Sequence, residues 1–144
     1  MALLRRHLLL TMAALLVPLV AGAEEPAVVL IAHPGVESQA LTRDTTRAIF
    51  AMRQRSWPNG QAVRVFVLPG DHPLHGRFAK EQLAVYPHQL QLAWDRMVFS
   101  GTGQAPTQVV SPEAMLDRVA STPGGIGYLT QEQLDDRVQV ITVE

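Results

Sequence analysis

Residues 64–78 read Arg-Val-Phe-Val-Leu-Pro-Gly-Asp-His-Pro-Leu-His-Gly-Arg-Phe. An apolar run ends in Leu-Pro-Gly, and Asp-His-Pro then opens a helical pattern, so the stretch predicts a strand, a tight turn and a helix N-terminus. In open α/β sheets, ligands sit at the carboxyl ends of strands, where the next helix points its first N–H groups outward. The same stretch places Asp71, His72, His75 and Arg77 within seven residues, and these include two of the chain's five histidines. Whether this turn binds something or merely reverses the chain is the question its neighbours must answer.

The flanking segments predict more of the same architecture. Ala27 to Ala32 is a continuous apolar run ending at His33-Pro34-Gly35, as expected of a strand buried on both faces. Thr42 is a good N-cap for a helix from Arg43 to about Arg53, with Asp44 in the first turn and Ala48, Ile49, Phe50 and Met52 as its apolar stripe. Trp57-Pro58-Asn59-Gly60 is a turn signal, and Val63 to Leu68 is the second strand. Leu74, Phe78 and Leu83 mark a short amphipathic helix. Pro87 suits the first position of the next, whose stripe is Leu90, Ala93, Trp94, Met97 and Val98. Ser111-Pro112-Glu113 starts a helix that buries Met115, Leu116 and Val119. Ile126 to Leu129 is a short strand, Thr130 to Gln133 fits a capping box, and Val138 to Val143 closes the chain as a strand. Strands separated by helices predict an α/β fold with a mixed, mostly parallel sheet covered by helices.

The first residues stand apart from that fold. Arg5 and Arg6 precede an apolar run from Leu8 to Val20, and Ala21-Gly22-Ala23 presents small residues where a signal peptidase cuts. The run is shorter than the ~20 residues that span a bilayer comfortably. The expectation is a signal peptide over 1–23 and one domain over 24–144, exported to the periplasm without later membrane insertion. Removing 23 of the 144 residues leaves 121, with ten basic and thirteen acidic side chains, a net charge of −3. That balance gives no reason to expect nucleic acid as a partner. The absence of cysteine excludes disulfides, thiolate metal sites and a thiol nucleophile.

Chemistry-bearing groups are sparse. His72 and His75 could share a helix face and, with Asp71, converge on a metal; a capped helix start with solvated histidines has the same spacing. An anion could instead use the N–H groups of the helix start with Arg77. Asp71 would oppose that if it capped the helix. The loops around Ser100-Gly101-Thr102-Gly103 and Pro123-Gly124-Gly125 match neither a Walker loop nor a dinucleotide fingerprint. There is no Gly-x-Ser-x-Gly elbow, and no cofactor is implied, so the expectation is a protein that is not an enzyme. Trp57, Trp94 and Tyr128 lie in apolar patterns and are expected in the core or a cleft wall.

Leu41-Thr42-Arg43-Asp44, then Ala48-Ile49-Phe50, then Trp57-Pro58-Asn59-Gly60 resembles a segment of phosphate-type periplasmic substrate-binding proteins. Trp94 to Gly101 followed by Pro106, and Pro123-Gly124-Gly125-Ile126-Gly127-Tyr128, are similar to later segments of short members of that group. The resemblance covers nearly all of the chain after the leader, in order. It implies a type II periplasmic-binding-protein-like single lobe that binds phosphate or another small anion and works with ABC transporter membrane components. One lobe offers half a cleft, so a partner or a homodimer is expected to complete it. The family's Arg-Ser-x-Gly-Ser-Gly-Thr phosphate loop corresponds to Leu68 through Leu74, where its side chains are missing, and only backbone N–H groups remain transferable. The candidate ligand-binding residues are Gly70, Asp71, His72, His75 and Arg77, flanked by Thr42 and Ser100. The alternatives are an accessory interaction module that kept the fold and lost the ligand, and a metal-binding protein using Asp71, His72 and His75.

Overall fold

A computed structural model describes residues 25–144, so the leader lies outside the described residues. The elements in chain order are β1 (Val28–Ala32), β2 (Ala40–Leu41), α1 (Arg43–Phe50), β3 (Arg64–Val67), α2 (Pro73–Gln82), α3 (Pro87–Ser100), β4 (Thr107–Gln108), α4 (Pro112–Ser121), β5 (Gly125–Thr130), a 3-10 turn (Gln131–Gln133) and β6 (Gln139–Val143). The strands form one six-stranded sheet in the order β2-β6-β1-β5-β3-β4. Pairings β2–β6, β3–β5 and β3–β4 are parallel, whereas β1 is antiparallel to both β5 and β6. Five strands therefore share one direction, and the strand that opposes them lies inside the sheet.

Alternation along β5 divides the helices between two faces. A Cβ at Gly127 would meet Met115 and Val119 of α4, so α4 covers that face at close range. The next residue, Tyr128, points the other way and stacks on Phe78 of α2, with ring centroids 4.0 Å apart. Phe50 of α1 packs edge-on against Phe78 at 4.7 Å. Trp94 of α3 joins this layer by donating its indole N–H to the Phe50 carbonyl at 2.8 Å. Trp57, also buried, donates to the Gly124 carbonyl at 3.0 Å. All three residues expected in the core or cleft wall are buried.

Helix caps agree with the sequence at the starts and differ at one end. Thr42 and Ser111 cap α1 and α4 with their hydroxyls, and Pro87 opens α3. Helix α1 stops at Phe50, short of the predicted Arg53, because Met52 adopts a left-handed backbone with φ 63°. The Arg53 N–H then reaches the Ala48 carbonyl at 2.9 Å and the Met52 N–H reaches that of Ile49 at 3.0 Å, the bonding of a Schellman turn. Glycine usually occupies that position, and methionine gives no sequence signal for it. In α3, Leu90 and Trp94 are buried but Val98 is exposed, so the apolar stripe is narrower than its spacing predicts.

Candidate functional site

The register fixes which loops gather at one edge of the sheet. The carboxyl ends of β2, β3, β4, β5 and β6 lie there, together with the start of β1. Helices α1, α2 and α4 and the 3-10 turn all begin at this edge. Strands β3 and β4 are neighbours, yet β3 leads to α2 on one face and β4 leads to α4 on the other. Connections that leave adjacent strands toward opposite faces open a crevice, and this is where α/β sheets hold ligands. The Gly70–His72 turn lies at the end of β3. Ser111, which ends the connection from β4, and Thr130, the last residue of β5, flank it on either side.

The turn is held from beneath. The Leu68 N–H donates to the Tyr128 hydroxyl at 2.8 Å, and that hydroxyl is hydrogen-bonded to Nδ1 of His75, a buried residue of α2. The tyrosine oxygen thus accepts from Leu68 and shares a second hydrogen bond with His75 Nδ1, whose direction follows the imidazole tautomer. Burial pushes the His75 pKa down, and the neighbouring His72 adds to that effect. Burial likewise pushes the Tyr128 hydroxyl well above its ordinary value, against the opposing effect of the Leu68 hydrogen bond. The His72 N–H closes the turn on the Pro69 carbonyl at 2.9 Å.

His72, not Asp71, caps α2. Its backbone is extended, and its Nδ1 accepts from the Leu74 N–H at 3.1 Å. Pro73 carries no N–H, and the His75 N–H turns back to the His72 carbonyl at 3.0 Å. The first donors of α2 are therefore consumed within the turn. The Gly70 and Asp71 N–H groups have no partner among the described residues, and Gly70 faces open space. An anion at this turn would meet two backbone donors and no side-chain cation from α2.

The residues predicted for the site are only partly brought together. Gly70, Asp71 and His72 form the turn, while His75 points into the core. Arg77 turns toward the start of β1, donating to the Pro26 carbonyl at 2.9 Å and lying 3.3 Å from Glu25 and 3.4 Å from Glu81. Thr42 caps α1 at the same edge, but β2 is four strand positions from β3, about 19 Å at the usual spacing. Ser100 is at the opposite edge: its hydroxyl bonds that of Thr102 at 2.8 Å, and Arg55 holds the Thr102 carbonyl at 2.9 Å beside Met52. The three metal candidates are not brought together: His75 is buried against Tyr128, while Asp71 and His72 stand in the turn. No group of three or more candidate ligands assembles among the described residues. His33 is spent on the Gly35 N–H at 2.9 Å, and His88 stacks on Tyr86.

Ser111, Thr130 and Tyr128 are the neighbours that the sequence left unassigned. Ser111 and Thr130 are legible as caps, but their adjacency to Gly70 depends on strand order. No local signal ties the Tyr128 hydroxyl to residue 68.

No protein-family model matches the sequence, and no curated protein matches it. Solved structures do. An ABC-type phosphate transport receptor from Vibrio cholerae superposes with a TM-score of 0.64 at 14% identity, over 82% of this chain and 46% of its own. A protein from Clostridium perfringens with bound phosphate, described as a phosphate ABC transporter substrate-binding protein, gives 0.66 at 16%, over 82% and 45%. PstS from Borrelia burgdorferi gives 0.63 at 14%, over 83% and 47%. The chain thus has a periplasmic-binding-protein-like fold and spans just under half the length of these neighbours. Among the described residues no helix is long and apolar enough to cross a membrane.

Proposed function

We propose that this protein is an exported solute-binding lobe for phosphate or another small oxyanion, serving an ABC importer from the periplasm. The observation that carries the reading is the switch of connections between neighbouring β3 and β4, with the unpartnered Gly70 and Asp71 N–H groups in the exposed turn that ends β3. The ligand meets those groups and the hydroxyls of Ser111 and Thr130. A second molecule, either another copy or a transporter subunit, supplies the facing wall. Two backbone donors make a weak anion site by themselves, so affinity rises when that wall is present. Isothermal titration with phosphate, sulfate and small carboxylates tests the reading, with amide chemical shifts of Gly70 and Asp71 as the local reporter. Heat with shifts confined to the turn supports it. No heat and no change in melting temperature at millimolar ligand removes it.

A second reading, an accessory module that kept the fold and lost the ligand, is favoured by the consumption of the α2 donors and by Arg77 facing away. A partner that binds this edge with an affinity indifferent to phosphate would select it.

A further inference from the structure

Away from that edge, α1 and α3 enclose a concavity of about 400 Å³. Its α3 wall carries Gln89, Leu90, Ala93, Arg96 and Met97, the i, i+1, i+4, i+7, i+8 stripe of one helical face. This explains why Ala93 and Met97 are only half-buried: they floor a groove instead of filling the core. The opposite wall carries Arg47 and Arg53, one from α1 and one from the turn that ends it, above Ala51. Arg47 is fixed by its Nε on the Leu83 carbonyl at 3.0 Å, with a weak contact to Asp44 at 3.4 Å. Arg53 and Arg96 have no ion-pair or side-chain hydrogen-bond partner among the described residues, and no carboxylate lines the groove.

Beside this groove, the chain leaves α1 and α2 through left-handed residues, Met52 and Ala84, the two non-glycine residues with positive φ among those described. Met52 sits between lining residues Ala51 and Arg53, and Ala84 precedes lining residue Val85. The groove's walls are built mainly from α1 and α3 and the turn that ends α1. Through Val85 and Gln89 the groove continues into a second hollow bordered by Lys80 and Tyr86.

We propose that this groove binds an amphipathic carboxylate, its apolar body on Leu90, Ala93 and Met97 and its charge between Arg53 and Arg96, with Arg47 behind. Several guanidiniums over an apolar floor match a ligand that carries both features, and the volume is that of a small-molecule site. An inorganic anion leaves the floor empty, and a neutral hydrocarbon leaves the arginines unused. The site is independent of the Gly70 turn.

Titration with octanoate, followed by calorimetry and by amide shifts of Ala51 and Ala93, tests the proposal. Acetate, octanol and inorganic phosphate serve as controls. The expected result is saturable one-to-one binding of octanoate, with acetate and octanol weaker by about tenfold or more. The doubly substituted R53E/R96E protein should lose at least about tenfold in octanoate affinity at an unchanged melting temperature, since both arginines are exposed. Phosphate should leave the Ala51 and Ala93 signals unmoved. Octanol binding as tightly as octanoate, undiminished binding in R53E/R96E, or no saturation at millimolar octanoate would each overturn it.

Discussion

Nδ1 of His75 and the hydroxyl of Tyr128, 53 residues apart in sequence, share a buried hydrogen bond that ties the first turn of α2 to β5. The same hydroxyl accepts the Leu68 N–H at the root of the Gly70 turn. Replacing Tyr128 by Phe keeps the ring stacked on Phe78 but leaves the buried Leu68 N–H and the buried His75 Nδ1 unpaired. The expected loss is roughly 2–4 kcal/mol in urea unfolding, with faster hydrogen exchange at Leu68. A loss below about 0.5 kcal/mol would mean that water replaces the hydroxyl without cost.

His75 also makes stability depend on pH, with a definite sign. Its pKa is lowered in the folded state, so around and below 6.5 the unfolded chain takes up the proton first. The contribution is complete above the unfolded pKa and is lost as pH falls toward the folded one. Unfolding free energy should therefore decline on acidification from about pH 7, by at most about 1.4 kcal/mol per pH unit for one proton. Replacing His75 by Gln should flatten that decline, and an unchanged slope in the variant would assign the effect to other groups.

Two glycines with positive φ should respond differently to alanine. At Gly124, with φ 78°, a Cβ would run into the Ala62 carbonyl oxygen, so the substitution combines strain with a backbone clash. At Gly60, with φ 89°, the space is open. G60A should cost about 1–2 kcal/mol and G124A on the order of 3–4 kcal/mol or more, by thermal or urea melts. Equal costs would show that the β3–β5 junction relaxes easily.

His72 and Arg77 separate capping from ligand binding. H72A removes the cap on Leu74 and should cost about 1 kcal/mol. It also releases the Leu74 N–H toward the crevice, so phosphate affinity should hold or rise. R77A should leave phosphate affinity unchanged, because its guanidinium is held by Pro26, Glu25 and Glu81. A fall in affinity in either variant would contradict the geometry of the turn.

How much of this could be read from the sequence depends on whether the signal was local. The apolar runs became β1, β3, β5 and β6, and the proline-opened helices start where their caps stand, because each rests on neighbours within a few residues. The two-residue strands β2 and β4 escaped notice, since Ala40-Leu41 and Thr107-Gln108 are too short to show a period. Their absence from the sequence reading mattered: β2 sets Thr42 far from the Gly70 turn, and β4 brings Ser111 beside it. Likewise the sequence leaves Asp71 open as a cap or a ligand contact, and His72 is the residue that caps α2. Both types can accept from a helix N–H, and the choice between them is made by one residue of register at Pro73.

The reversed direction of β1 has a consequence for how the protein is presented. Because β1 enters the sheet at the edge where β6 leaves it, Glu25 and Glu144 emerge on the side that carries the Gly70 crevice. Any covalent tether joined at either point pulls that side toward whatever the tether is fixed to. A tag, a surface attachment or a neighbouring domain therefore orients the crevice and can obstruct it. The length of such a linker becomes a variable that controls access to the edge.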